Sequence, residues 1–84
     1  MMQQTSILAY REIRGELAQR QADVYEIIKV HQPITNYRIS KLLGKAINSV
    51  TPRVKELRDK KLVMAFNTTI EETGRKSIQW VTSR

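Results

Sequence analysis

Apolar residues recur at helical spacing through the first part of the 84-residue chain. The set that begins at Ile7 predicts a first helix over residues 6–14, and the set that begins at Val24 predicts a second helix over about 18–31. Pro33 is expected to end the second helix, because the residue before a proline avoids the α conformation.

A third helix has clear signals at both of its ends. Thr35 is a good N-cap, because its hydroxyl can accept a hydrogen bond from a free backbone N–H of the first turn. Ile39, Leu42 and Leu43 follow at helical spacing. Gly44 then suits the left-handed residue with which many helices close. The sequence therefore predicts a short helix between Thr35 and Gly44.

A fourth helix is predicted over residues 49–60. Ser49 is the preferred N-cap and Asn48 the alternative, because a cap at Ser49 leaves Pro52 where its missing N–H has no helical partner. The apolar residues of this helix form one narrow stripe, made of Val50, Val54 and Leu57.

The apolar pattern changes to a period of two after the fourth helix. Alternation over 62–67 and 77–81 predicts two strands, which a polar loop joins. We expect Trp80 to lie in the core, on the same face of this hairpin as Phe66 and Ile78.

The order of four helices and a hairpin is that of a winged helix-turn-helix. We therefore predict an α+β fold, mostly α, with a three-helix core and a C-terminal β-hairpin wing over residues 17–84. A helical extension is predicted over residues 1–16. A chain of 84 residues suffices for one domain. The absence of cysteine excludes disulfides and removes the usual ligands of a structural zinc site.

The net charge of +7 lies entirely in the second half of the chain. Residues 1–32 carry four basic and four acidic groups, whereas residues 33–84 carry eleven basic and four acidic groups. This asymmetry favours a polyanionic partner for the second half. A basic surface that serves solubility alone is the alternative.

Several classes of protein are disfavoured by the sequence. No apolar run reaches the roughly 20 residues that span a bilayer, and charged residues interrupt the one candidate for a signal peptide. We therefore expect a cytoplasmic protein without a membrane partner. The chain has no phosphate-binding glycine loop, no nucleophile elbow and no His/Cys/Asp cluster, and His31 stands alone. These absences predict a protein that is not an enzyme and needs neither a metal nor a cofactor.

The fourth helix is the candidate nucleic-acid reader. A helix that buries only one narrow stripe fits the major groove of B-DNA with its opposite side. The candidate DNA-binding residues of this helix and the turn before it are Asn48, Ser49, Thr51, Pro52, Arg53, Lys55 and Arg58. The wing contributes Arg75 and Lys76, and the supporting third helix contributes Asn36, Arg38 and Lys41. An ordinary amphipathic helix with solvated charges, and a hairpin whose cations only discourage edge pairing, are the alternatives.

The segment 34–63 resembles the helix-turn-helix of small bacteriophage and prophage winged-helix proteins. More distantly, it resembles the DNA-binding core of the multiple-antibiotic-resistance regulator family. The most specific part is Ile-Asn-Ser-Val-Thr-Pro-Arg-Val over 47–54, and Gly-Arg-Lys over 74–76 followed by Trp80 is similar to the end of the wing in the phage proteins. The resemblance implies DNA contacts by Ser49, Thr51, Pro52 and Arg53, with Arg75 and Lys76 in the wing.

The chain departs from this pattern at two places. Lys61 stands where a glycine is usual near the end of the recognition helix. Glu71 and Glu72 lie in the wing loop and oppose contact with phosphate.

The resulting hypothesis is a binder of double-stranded DNA that regulates transcription or the life cycle of a phage. A protein-interaction module on the same fold is one alternative, since fold does not settle function. A replication or packaging component that binds duplex DNA is another. The helix over 6–14 is a candidate homodimer interface, although it serves equally well to cover the core of the monomer.

Overall fold

The computed structural model describes residues 17–83, which form three helices and a three-stranded antiparallel sheet. In chain order the elements are α1 (Gln19–His31), β1 (Ile34–Thr35), α2 (Asn36–Leu43), α3 (Ile47–Asp59), β2 (Val63–Ile70) and β3 (Lys76–Thr82). Strand β3 lies between β1 and β2, and the β2–β3 hairpin forms the wing. The predicted winged helix-turn-helix is confirmed. The predicted helix over 6–14 lies outside the described residues.

The core lies between the three helices and the base of the sheet. Val50, Val54 and Leu57 are each at most 1% exposed, which confirms the predicted apolar stripe of α3. The other members of the core are Val24, Tyr25, Ile28, Ile34, Ile39, Leu62, Val63 and Trp80. Burial of a large apolar side chain stabilises a fold by about 1.5–3 kcal/mol. The stripe therefore fixes the rotation of α3 about its own axis, and with it the side of α3 that faces away from the core.

Helix α2 has the two ends that the sequence predicts. The backbone N–H of Arg38 donates to Thr35 Oγ1 at 3.2 Å, so Thr35 is the N-cap. Gly44 is left-handed with φ 66°, and the N–H of Lys45 donates to the carbonyl of Ser40 at 3.1 Å. This closure reverses the chain within three residues and leads directly into α3.

The predicted start of α3 is wrong. The helix begins at Ile47 with Ala46 as its N-cap, and Ser49 lies within the first turn, where its N–H donates to the Ala46 carbonyl at 2.9 Å. The left-handed closure at Gly44 already brings Ala46 into the extended cap conformation, so no side-chain cap is used. Pro52 consequently lies inside the helix and leaves the Asn48 carbonyl without its helical donor. Asn48 is exposed, and water can satisfy that carbonyl.

The wing is longer than the sequence predicts. Residues 68–70 belong to β2 rather than to the loop, and the short strand β1 was not predicted. Strand β1 pairs Ile34 with Trp80. A two-residue strand has no periodicity of its own, so it is defined only by its partner β3.

Trp80 is 6% exposed, as predicted, but Phe66 is 63% exposed and does not share its environment. The pairing of β2 with β3 shifts between Ala65 and Asn67, which leaves Phe66 as the extra residue of a β-bulge. The register already places Ala65 opposite Trp80, so Phe66 is not the cross-strand neighbour of Trp80 that the prediction assumed. Ile78 is 45% exposed because it lies nearer the turn than Trp80, so the predicted common buried face is wrong for both partners.

Lys61 closes α3 in a conformation that favours glycine. Its φ is 61°, its N–H donates to the Arg58 carbonyl at 2.9 Å, and the N–H of Leu62 donates to the Leu57 carbonyl at 2.9 Å. These two bonds are the Schellman pattern, which usually has glycine at the left-handed position. Lys61 therefore stands where a glycine is usual, and the backbone still follows the path that a glycine would take.

We expect Lys61→Gly to raise the free energy of unfolding by about 0.5–1 kcal/mol, because glycine removes the left-handed strain while it costs some chain entropy. Chemical denaturation measures the change. Lys61→Ala is the control, since it removes the same charge and keeps the strain. Equal stability of the glycine and alanine variants would contradict the assignment of strain.

Candidate nucleic-acid interface

Helix α3 presents one side to the core and leaves the other uncovered. Seven of its residues are exposed on the uncovered side, which we call the outward face: Asn48, Ser49, Thr51, Pro52, Lys55, Arg58 and Asp59. Within residues 17–83 neither cation of this face forms an ion pair, because the single described salt bridge joins Arg53 and Glu56. The outward face therefore offers hydroxyl, amide and cationic groups to a partner that can lie along the helix.

Arg53 lies apart from this face, at the seam between α3 and α1. Its Nε lies 2.8 Å from Glu56 Oε1, and its Nη2 donates to Glu56 Oε2 at 2.9 Å. Gln21 of α1 donates from Nε2 to the same Glu56 carboxylate at 2.8 Å. The structure thus places the predicted Arg53 in an ion pair within α3, away from Lys55 and Arg58. The hydrogen bond from Gln21 to Glu56 links this pair to α1.

The pKa of Glu56 is lowered below its ordinary value of 4.5, chiefly by the hydrogen bond from Gln21 and next by the hydrogen bond from Arg53. A carboxyl group whose pKa is lower in the folded than in the unfolded chain stabilises the fold at every pH above the unfolded pKa. That contribution is lost as the pH falls through the lower folded value.

We therefore expect Glu56→Gln to unfold at a lower temperature than the native chain at pH 7. The difference should shrink as the pH falls below 4.5. Thermal unfolding followed by circular dichroism across this range measures it. Asp59→Asn, which removes an exposed carboxylate of the same helix outside this pair, is the control. A difference for Glu56→Gln that stays constant into acid would contradict the account.

The tip of the wing lies beside the start of α3. Its turn is closed by two backbone bonds of 2.8 Å, from Glu71 N–H to the Arg75 carbonyl and from Gly74 N–H to the Glu71 carbonyl. Arg75 is exposed at this tip, and Lys76 is exposed where β3 begins. A cleft of 340 Å³, which we call the wing-tip cleft, separates the tip from the helices and is lined by Tyr37, Ile47, Glu71, Thr73, Arg75 and Ser77.

The two glutamates of the wing loop lie in different environments. Glu72 is exposed, so its carboxylate can repel a phosphate group. Glu71 is half-buried and lines the wing-tip cleft, and its Oε1 is shielded from water without a donor among the described residues. Both carboxylates therefore oppose a polyanion at the wing tip, Glu72 from the exposed turn and Glu71 from the wing-tip cleft.

The predicted residues of α2 are divided over its surface. Lys41 is exposed, with its Nζ 5.3 Å from the centre of the Tyr37 ring, on the side of the wing-tip cleft. Arg38 is exposed and lines a second cleft, between α2 and the strands of the wing. Asn36 is half-buried, and its Oδ1 has no donor within residues 17–83.

Two cations that the sequence did not single out lie near the start of α3. Arg20 of α1 and Lys45 of the helix-turn-helix turn line one cleft with Ser49. The position of Lys45, directly after the predicted helix end at Gly44 and in the turn before the candidate reading helix, was a usable signal in the sequence. Arg20 carried no such signal, because its place depends on how α1 packs against α3.

Other kinds of site receive no support from the described residues. No group of three or more His, Cys, Asp or Glu side chains within residues 17–83 could hold a metal ion. None of the three described helices is long and apolar enough to cross a bilayer.

Comparison of the sequence with protein-family profiles and with curated proteins gave no match. Solved structures do share the fold. A possible transcriptional regulator from Methanosarcina mazei Go1 superposes with a TM-score of 0.65 at 16% identity, over 93% of this chain and 66% of that one. A Staphylococcus aureus MarR, in complex with salicylate and kanamycin, superposes with a TM-score of 0.57 at 20% identity, over 89% of this chain and 48% of that one.

These comparisons identify the class of fold. The chain has the winged-helix architecture of these two structures, one of them described as a possible transcriptional regulator and the other as a MarR. This agreement confirms, at the level of fold, the resemblance to the multiple-antibiotic-resistance regulators. The chain spans about two thirds of the first structure and about half of the second. The narrower resemblance to phage proteins stays a prediction.

Proposed function

We propose that this protein binds double-stranded DNA with the outward face of α3 in the major groove and acts as a regulator of transcription. One observation carries the proposal. The buried stripe of Val50, Val54 and Leu57 fixes α3 so that its polar and cationic side stays uncovered. An α-helix with one free side is the element that the major groove admits.

The residues of the outward face are proposed to read bases. Hydroxyl and amide groups of Asn48, Ser49 and Thr51 suit the donors and acceptors of base edges, and the ring of Pro52 suits contact with a thymine methyl group. Lys55 and Arg58 supply charge, and each suits contact with guanine or phosphate.

Phosphate contacts are proposed for the elements beside α3. Arg75 and Lys76 of the wing lie on one flank. Arg38 and Lys41 are exposed on α2, and the first helix of such a motif crosses the phosphate backbone. Asn36 is half-buried at the start of α2, and its amide N–H groups suit a phosphate oxygen. Arg53 is proposed to support the interface through its ion pair with Glu56 rather than to contact bases.

A winged helix that acts alone reads a short site, so a dimer on two half-sites about one helical turn apart would extend the sequence that is read. The candidate dimer helix over 6–14 lies outside the described residues and stays a prediction. The narrower hypothesis of a phage-lifecycle regulator rests on the sequence resemblance alone.

Selection of duplexes from a random library, followed by fluorescence anisotropy of the selected duplex over a range of salt concentration, tests the proposal. About five phosphate contacts predict a log–log slope of about −4 to −5, with tighter binding to the selected duplex than to a scrambled one. Failure to enrich any duplex, together with an affinity that does not change with salt, would overturn the proposal.

A further inference from the structure

We propose that Arg20 and Lys45 form a second phosphate-binding site, on the flank of α3 opposite the wing. The site would hold a backbone phosphate of the same duplex, so the inference rests on the proposed function. Neither residue belongs to the helix face or the wing from which the DNA contacts were expected.

Packing brings the two cations together from separate elements. Arg20 lies in the first turn of α1, and Lys45 lies in the turn between α2 and α3. Both are exposed, and both line a cleft of 170 Å³ whose other lining residues are Asp23, Leu43, Ser49 and Val50. We call it the α1-side cleft. Its floor is apolar through Leu43 and Val50, and its rim carries two cations and the Ser49 hydroxyl.

The charges of the α1-side cleft are not balanced by the described residues. Asp23 is the only carboxylate among the lining residues, and its Oδ1 accepts a hydrogen bond from Gln19 Nε2 at 2.8 Å. Within residues 17–83 neither Arg20 nor Lys45 forms an ion pair, since the described salt bridge is that of Arg53 with Glu56. Two cations that face one cleft repel each other, and an anion bound between them relieves that repulsion.

The position of this cleft matches the geometry of a helix in a groove. Ile47 lines the wing-tip cleft and Ser49 lines the α1-side cleft. Residues two apart in an α-helix are separated by about 200° around its axis, so the two clefts lie on opposite sides of α3. A helix inserted in the major groove has a phosphate backbone on each side, across a groove about 12 Å wide. The wing side would contact one backbone, and Arg20 with Lys45 would contact the other.

The chemistry of the α1-side cleft favours phosphate over a base edge. Arg20 extends from α1, which does not enter the groove, and a guanidinium group binds phosphate oxygens in a bidentate manner. Phosphate contacts position a protein on the duplex without reading its sequence. Loss of this pair is therefore expected to weaken all duplexes alike.

The test uses the full chain with Arg20→Ala and Lys45→Ala combined, measured by anisotropy on the duplex selected with the native protein and on a scrambled duplex. We expect affinity for both duplexes to fall roughly tenfold at about 0.1 M salt. The log–log salt slope should shrink in magnitude by about 1–2, and the ratio between the two duplexes should not change. Arg20→Lys with Lys45→Arg, which keeps both charges, is expected to restore most of the affinity. Thermal unfolding confirms that each variant is folded.

Lys29→Ala with Lys60→Ala is the matched control, because it removes the same net charge from the last turn of α1 and from the C-cap of α3. An unchanged affinity and slope for the Arg20 and Lys45 variant, or an equal effect of the control, would overturn the inference. A change in the ratio between the two duplexes would also overturn it, because that result indicates base reading. These results would overturn only the inference about Arg20 and Lys45, provided that the native chain binds duplex DNA with the expected salt slope. Absence of salt-dependent duplex binding by the native chain would overturn the proposed function itself.

Discussion

Replacement of Lys55 and Arg58 by glutamate is expected to lower duplex affinity at least 100-fold. Both side chains are exposed on the outward face, and neither pairs with a carboxylate within residues 17–83. The double reversal changes the charge of that face by four units and sets two carboxylates against the polyanionic groove. The fold should survive, because substitutions at exposed positions away from caps and ion pairs change stability by only about 0.5 kcal/mol each.

A control variant separates the effect of these two positions on duplex affinity from the effect of net charge. Lys29→Glu with Lys60→Glu makes the same change in net charge at positions outside the outward face. We expect it to weaken binding far less, and mainly through the long-range field, which salt screens. An equal loss in both variants would assign the binding to net charge alone, and no loss in the first variant would remove α3 from the interface.

Replacement of Trp80 by alanine is expected to destabilise the fold by about 3–5 kcal/mol. Trp80 is 6% exposed, belongs to the central strand of the sheet, and pairs with Ile34 on one side and Ala65 on the other. Its removal opens a cavity where the wing joins the helices. Small domains have stabilities near the lower end of about 5–15 kcal/mol, so this variant should be largely unfolded well below the native transition temperature.

Phe66→Ala is the matched control, because it removes the other large aromatic ring of the wing. Phe66 lies at the β-bulge and is 63% exposed, so we expect a change of at most about 0.5 kcal/mol. Denaturant titrations of the two variants measure the contrast. Similar losses for Trp80→Ala and Phe66→Ala would contradict the difference in burial between the two rings.

The helices were predictable where a strong local signal coincided with the packing. Thr35 and Gly44 mark the ends of α2 through their own backbone and side-chain chemistry, and both act as predicted. The start of α3 was not predictable in the same way, because Ser49 is a good cap in isolation. The chain reversal at Gly44 decides the outcome instead, since it brings Ala46 into the cap conformation first.

The strands were predictable only in part, because their form depends on residues distant in the chain. Strand β1 exists through its pairing with β3, which the local sequence of Ile34 and Thr35 does not reveal. The bulge at Phe66 is a property of the register between β2 and β3. A pattern with a period of two predicts that a strand exists, but it shows neither which residue lies opposite Trp80 nor where a bulge adds a residue.

For the candidate site as well, features that depend on one helix were predictable, and features that depend on packing between helices were not. The exposure of Thr51, Lys55 and Arg58 follows from the period of one helix with a buried stripe, and it was predictable. The Arg53–Glu56 pair joins residues three apart in one helix, so it was predictable as well. The hydrogen bond from Gln21 to Glu56 depends on how α1 crosses α3, as does the approach of Arg20 to Lys45. No pattern within one helix contains that information.

The central claim is that the outward face of α3 lies against duplex DNA. Amide chemical shifts of the ¹⁵N-labelled protein, recorded with and without the selected duplex, test it most directly. We expect the largest changes at Thr51, Lys55 and Arg58, with further changes at Arg75 in the wing and little change near Val30, which is 70% exposed on α1. Unchanged amides along the outward face, with the main changes around Val30, would contradict the claim.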